Sequence, residues 1–366
     1  MMTHVLRVDP HSPEPEKISQ AAEVIRSGGL VAFPTETVYG LGADALSTEA
    51  VRRIFEAKGR PLRDPIIVHI SREEELELVA REVPLEAEGL IRRFWPGPLT
   101  LVLPKSERVP SLVTAGLPTV GVRMPVHRVA RALIARAGPI AAPSANLFGR
   151  PSPTRAEHVL QDLEGRIELL LDGGPTTVGV ESTVLDLTSS GPPRILRPGG
   201  VSREALEEVL GEVKLAAMTM TMTVADSEAD EEEEEEGEEE LRPLPSPGMM
   251  KRHYAPRARL FLFNGAEALP KMRELLDELV GKGERVGLLV PQEHLDRFDP
   301  LPAGAVLRNL GSLADLEGMA KALFASLREI DGEEVSSILV LAPPREGLGL
   351  AIFDRLYKAA GSRVIS

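Results

Sequence analysis

The stretch FEAKGRPLRDPIIVH, residues 55–69, joins two kinds of local order. Upstream, Ser47 to Lys58 reads as a helix: Ser47 can cap it, Glu49 suits the first turn, and Val51, Ile54 and Phe55 keep the i, i+3, i+4 spacing of a buried face. Pro61 then holds the chain extended, and Pro65 to Ile70 is an apolar run of strand length. A helix passing straight into a buried strand is the unit from which α/β domains are built. The junction also carries Lys58, Arg60 and Arg63, with His69 at the end of the strand. Lys58 suits a helix C-terminus. An arginine fork fits phosphate or carboxylate, and a lysine supplies a compact point charge. Taken alone, such a cluster reads as a solvated patch and such a histidine as structural, so the surrounding segments must decide.

Further strands are expected at Gly29 to Phe33, Leu99 to Leu103, Thr119 to Arg123, Pro139 to Ala142, Ile167 to Leu171, Ser182 to Leu187 and Arg194 to Leu196, each bounded by Gly, Pro or Asp. Several of their ends carry polar groups. FPTETVYGLGAD (33–44) offers a proline-led turn with two threonines, a glutamate and a glycine pair, and APSAN (142–146) follows another strand in the same way. VGVRMP, VGVEST and ILRPG add Arg123, Ser182 and Arg197 at three more. Loops at strand ends are where α/β sheets place ligands. Neither G-x-x-x-x-G-K-[ST] nor a full G-x-G-x-x-G after a strand occurs, and EGLGLAIFD (346–354) reads as a tight turn into a helix.

The length of 366 residues favours two domains. With no cysteine, disulfides, thiolate nucleophiles and Cys-ligated zinc are excluded together. The net charge of −14 is local: residues 226–240 hold twelve of the 56 acidic residues and no basic one, leaving 44 acidic against 42 basic elsewhere. That run reads as a solvated, self-repelling linker segment. A first domain of mixed strands and helices is expected over 1–212, a linker over 213–256 ending in the proline-rich SPGMMKRHYAP, and a smaller α/β domain with a parallel sheet over 257–366. Its strands are expected at Leu260 to Phe263, Val286 to Val290 and Ser337 to Leu341, with helices near 267–281, 313–329 and 350–360. No apolar run approaches the ~20 residues of a membrane span, so a soluble, cytoplasmic protein is the expectation.

PTETVYGLG, KGRP…DPIIVH, FWPGPLTLVL, VGVRMP, APSAN…G and ESTV, in this order and spacing, resemble the YrdC-type family of threonylcarbamoyl-AMP synthases. The proline-rich linker and the C-terminal region resemble that family's longer form. The resemblance implies a YrdC-like twisted mixed sheet with helices, then a Rossmann-like α/β domain. It implies an L-threonylcarbamoyladenylate synthase, a nucleotidyltransferase that makes threonylcarbamoyl-AMP and pyrophosphate from L-threonine, bicarbonate and ATP for tRNA modification. Mg2+ would accompany ATP, and no metal site of the protein's own is expected. A downstream tRNA threonylcarbamoyl transferase complex would take the product, with weak tRNA binding and no membrane contact.

By the same resemblance, Lys58 and Arg60 would be catalytic and, with Ser144 and Asn146, form the family's K-x-R…S-x-N set. Arg60, Asp64, Thr119, Asn146, Thr154, Arg197 and Tyr254 would contact ATP, with Lys58 facing its phosphates. Thr37, His69, Arg123, Ser144 and Ser182 would hold threonine, with Arg123 on its carboxylate. Asp64 departs from the family's usual asparagine. Tyr254 lies in the linker, so Ser246 to Pro256 would fold back as a lid against water. The alternatives are an RNA-binding module of this fold without catalysis, disfavoured by 4% aromatic residues, a carbamoyl-transfer relative, disfavoured by the missing cysteines, and an ATP sensor on a decayed enzyme.

Overall fold

Ser47 caps the helix read from the sequence: its hydroxyl accepts the Ala50 amide at 3.2 Å, and Gly59 ends the helix in the left-handed region at φ 63°. The computed structural model describes residues 2–189, 191–216, 243–250 and 252–366, so the acidic run 226–240 lies outside the described residues. Strands β1 (His4–Arg7), β2 (Val31–Phe33), β3 (Gly40–Asp44), β4 (Val68–His69), β5 (Leu99–Pro104), β6 (Thr119–Arg123), β7 (Ile140–Ala141), β8 (Leu169–Asp172), β9 (Thr183–Asp186), β10 (Arg194–Arg197) and β11 (Lys214–Leu215) form one mixed sheet. Their order is β1-β8-β2-β3-β7-β4-β6-β5-β9-β10-β11. The sheet therefore runs past residue 212, with β11 pairing parallel to β10.

Helices α1 (Pro15–Arg26), α2 (Thr48–Lys58), α3 (Leu76–Val79), α4 (Leu85–Phe94), α5 (Arg128–Ala137), α6 (Ala156–Leu163) and α7 (Arg203–Leu210) cover this sheet. Val51, Ile54 and Phe55 of α2 enter one core with Leu99, Leu101 and Val122, while Ile18, Ala22 and Ile25 of α1 join Leu133 and Ile134 of α5 in another. Burial of these faces drives the layering.

One strand was not foreseen within FPTETVYGLGAD. Its GLGAD end is β3, antiparallel to β2 with Val31 opposite Gly42, so the threonines sit in the connection between two paired strands. A Cβ at Gly42 would lie 2.8 Å from both Phe33 Cε1 and Ile140 Cγ2. The glycine is there to let the strand lie flat against neighbouring side chains, whereas its spacing in sequence reads as a turn.

After the linker, β12 (Arg259–Phe263), β13 (Val286–Val290), β14 (Ala305–Asn309), β15 (Ser337–Leu341) and β16 (Val364–Ile365) form a five-stranded sheet ordered β14-β13-β15-β12-β16. Every pairing in it is parallel. Helices α8 (Ala268–Gly281), α9 (Leu316–Asp331) and α10 (Gly349–Ala360) pack on its faces. At the first residue of α10, a Cβ on Gly349 would stand 1.8 Å from the Pro344 carbonyl oxygen, so the EGLG turn enters the helix with no room for a side chain at that position.

The two sheets share a core. Val38, from the β2–β3 connection, and Val180, just before β9, are buried with Leu323 and Phe324 of α9. At Gly179, φ 83°, a Cβ would meet Lys321 Cα at 2.3 Å, which shows how closely α9 sits on that loop.

Candidate active site

Parallel pairing of β4 with β6 sets His69 opposite Arg123, which brings two of the strand-end residues together by register. The β2–β3 connection, the loop after β7, the end of β10 and the linker complete a buried cavity around them. Thr37, His69, Arg123, Ser144 and Ser182 line it, and so do Arg60, Arg197 and Tyr254.

Arg123 donates through Nε to the Gly97 carbonyl at 3.1 Å, through Nη1 to Thr37 Oγ1 at 2.9 Å and through Nη2 to Glu36 Oε1 at 2.5 Å. Those three bonds leave two of its five N–H donors for a ligand. Burial, with the Arg123 charge beside it, pushes His69 down to about 3. Its imidazole is therefore neutral at physiological pH, with Nδ1 buried and unpartnered.

Arg60 donates to the carbonyls of Asp64 and Pro65 at 3.1 and 2.6 Å. Its Nη2 also lies 2.9 Å from Asp64 Oδ2, yet neither Asp64 carboxylate oxygen takes an aligned hydrogen bond, so charge rather than geometry holds that pair. Burial raises the Asp64 carboxyl against the opposing pull of Arg60. Asp64 thus sits behind Arg60 rather than on the cavity wall.

Lys58 is placed differently from the phosphate-facing expectation. Its ammonium donates to the Ser144 and Asn146 carbonyls, both at 2.5 Å, and it does not line the cavity. Burial pushes its pKa well below the usual value. The K-x-R and S-x-N segments are tied by this contact, which shapes the loop that presents Ser144. Asn146 turns its amide toward the Leu147 and Arg150 carbonyls, and the Thr154 amide donates to His158 Nδ1 at 3.2 Å; neither residue lines the cavity. Thr119 lines an adjoining cavity that shares Ile67 and Pro247 with the first.

The linker is what divides the cleft. Its Leu244 amide donates to the Arg63 carbonyl at 3.0 Å, the Pro247 carbonyl accepts from Arg197 Nη1 at 3.4 Å, and the Ala255 amide donates to Gly149 at 2.7 Å. Met249 is buried with Ile67, Val102 and Val184. Tyr254 holds a left-handed φ of 60° and is buried between Phe324, 5.6 Å away by ring centroid, and the Arg355 guanidinium at 5.1 Å. With the linker in this position the cavity volume is about 50 Å3, room for a few waters but far below the several hundred Å3 a nucleotide-sized ligand fills.

Reading the sequence missed Glu36, Glu181 and Thr100. Glu36 is the buried partner of Arg123. Glu181 lines the cavity and accepts from Ser152 and from Arg355 Nε, the latter at 2.6 Å. Burial raises Glu181, but Arg355 and then Arg197 outweigh it and hold the carboxyl at about 2. The signals in the sequence were single acids inside two strand-end segments, Glu36 in FPTETVYGLGAD and Glu181 in VGVEST.

A family model described as "Telomere recombination" matches residues 23–199, and one described as "Threonylcarbamoyl-AMP synthase, C-terminal domain" matches 201–361. A curated threonylcarbamoyl-AMP synthase of Pyrococcus abyssi is 47% identical over 95% of both chains. The chain belongs to the threonylcarbamoyl-AMP synthase family. Another family member, from Bacillus subtilis, is 45% identical over 98% of this chain and 96% of its own. The crystal structure of P. abyssi Sua5 complexed with L-threonine superposes with a TM-score of 0.87 over 99% of each chain, at 46% identity. Family membership thus extends over both sheets and the linker between them.

Proposed function

We propose that the protein is an L-threonylcarbamoyladenylate synthase. The observation that carries this reading is one buried cavity in which Arg123, His69, Thr37, Ser144 and Ser182 face Arg60, Arg197 and Tyr254. The first group suits an amino acid, with Arg123 on its carboxylate, and the second suits a nucleotide. In the reaction, the threonine amino nitrogen bonds the bicarbonate carbon with loss of water. A carbamate oxygen then attacks the α-phosphorus of ATP and expels pyrophosphate, which makes the enzyme a nucleotidyltransferase. Two anions must be held together, and fixed cations in a water-poor site offset their repulsion. Arg60 and Arg197 supply those charges, and the strut from Lys58 holds the Ser144 loop.

Magnesium enters as part of the ATP complex. There it would offset negative charge on the triphosphate. ATP entry requires Ser246 to Pro256 to lift and reclose, with Tyr254 returning over the nucleotide to shield a mixed anhydride from water. That anhydride is an acyl donor, to be consumed by a partner complex that acylates tRNA adenosine. A purely RNA-binding role is less well supported, because Arg60, Arg123 and Arg197 are buried rather than spread over a surface. No described helix is long and apolar enough to cross a membrane.

Incubation with ATP, magnesium, bicarbonate and labelled threonine is expected to yield pyrophosphate and a labelled adenylate, and neither when any component is omitted. Pyrophosphate released without threonine would overturn the assignment. Tyr254→Phe keeps the ring between Phe324 and Arg355 and removes only the hydroxyl. It is expected to raise the KM for ATP about 3- to 10-fold, with the threonine KM and thermal stability nearly unchanged; an unaltered ATP KM would remove the tyrosine hydroxyl from the nucleotide site.

A further inference from the structure

Thr100 lies on β5, fully buried, and does not line the cavity. Parallel pairing of β5 with β9, Leu99 beside Thr183, brings it against Ser182 just before β9, with the two hydroxyl oxygens 2.8 Å apart. Ser182 Oγ also takes Arg197 Nη2 at 3.2 Å, and the same guanidinium holds the Ser182 carbonyl through Nε and Nη2 at 3.2 and 3.0 Å.

We propose that Thr100 is a positioning residue that fixes the direction of the Ser182 hydroxyl proton, so that Ser182 donates into the cavity to an acidic oxygen of the amino-acid substrate. A serine hydroxyl has one proton and two lone pairs. Among the described residues the Thr100 hydroxyl has no acceptor other than Ser182 Oγ, and a buried hydroxyl proton needs an acceptor. Thr100 therefore donates, Arg197 donates, and both Ser182 lone pairs are filled. Only the Ser182 proton remains, and it points away from these two neighbours, into the cavity that Ser182 lines. A carboxylate or carbamate oxygen satisfies that proton; an ammonium does not.

This inference rests on the threonine reading above, and direct binding separates the two. Titration of the full chain with L-threonine, without ATP, is expected to show Thr100→Val weakening binding about 3- to 10-fold, as for loss of one oriented hydrogen bond. Thr100→Ser should restore it, and Thr100→Ala, which adds no new methyl, should match the valine variant. In a Ser182→Ala background, Thr100→Val should cost nothing further. Wild-type affinity in both Thr100→Val and Thr100→Ala, or an undiminished loss in the Ser182→Ala background, would overturn the assignment. A wild type that binds no threonine would overturn the parent reading and this inference with it.

Discussion

Arg123→Lys is expected to lower kcat/KM for threonine by about 100-fold, corresponding to about 3 kcal/mol of lost charge-assisted hydrogen bonding. The guanidinium does three things at once: it ties to Gly97 on the loop before β5, to Thr37 in the β2–β3 connection, and to Glu36. A lysine ammonium has its donors on one nitrogen and cannot span these partners while still presenting a fork to a carboxylate. The KM for ATP is expected to change little, because the nucleotide side is built from Arg60 and Arg197. Steady-state pyrophosphate release at varied threonine and saturating ATP checks this, and an unchanged threonine KM would remove Arg123 from the carboxylate. Arg123→Ala carries a second penalty. It leaves Glu36, 4% exposed, as an unpaired buried carboxylate, which costs on the order of 3–5 kcal/mol of stability. The lysine variant, which keeps a cation, should melt measurably higher than the alanine variant.

The strands that place Arg123, His69 and Ser182 could be read in advance because each is a short run of apolar residues closed by a polar one. β6 has the expected bounds, Thr119–Arg123, since β5 pairs with it along its whole length. The expected Pro65 to Ile70 strand shortens to Val68–His69 because Pro65 lacks an amide donor and the Ile66 amide goes instead to the Val113 carbonyl. β1, β14 and β16 escaped notice: β1 and β16 are too short to show a period, and β14 is an edge strand with every residue at least partly exposed.

At the site the limit is of another kind. Glu36 and Arg123 are 87 positions apart, Thr100 and Ser182 are 82 apart, and Glu181 and Arg355 are 174 apart. Which buried acid meets which arginine is decided by strand order and domain docking, and no local spacing encodes it. Asp64 illustrates the difference, since in sequence it is an acid where the family has asparagine, and in space it is the charge behind Arg60. Lys58 shows the converse, because only the family resemblance sets it toward ATP phosphates, and its contact with the Ser144 and Asn146 carbonyls has no local spacing to announce it.

Arg355→Met is expected to lower the stability of the chain by about 3–5 kcal/mol, the usual cost of removing one partner from a buried ionic cluster. Arg355 is fully buried on α10 and donates to Glu181 across the domain boundary, to its neighbour Asp354, and to the Pro198 carbonyl at 3.0 Å. Methionine fills much of the volume and returns none of these bonds. The pH dependence separates lost charge pairing from lost packing. In the wild type the Glu181 carboxyl sits at about 2 against an ordinary 4.5, so its pairing stabilises the fold above about pH 4.5 and is lost as the pH falls toward 2. His69 at about 3 and His158 at about 4 act in the same sense. The unfolded chain protonates them near 6.5 and the folded chain does not, so stability declines as the pH drops below that value. In Arg355→Met, Arg197 and Ser152 alone oppose burial at Glu181, so its carboxyl rises from about 2 toward the ordinary value and the stabilisation it contributes above pH 4.5 shrinks. The melting-temperature gap between wild type and variant is therefore expected to be widest above about pH 4.5 and to narrow as the pH falls from there toward 2, measured by calorimetry from pH 7 downward. A gap that stays constant with pH would mean that Arg355 acts through its packing over the Tyr254 ring, and that the charge it brings from the second domain does not govern Glu181.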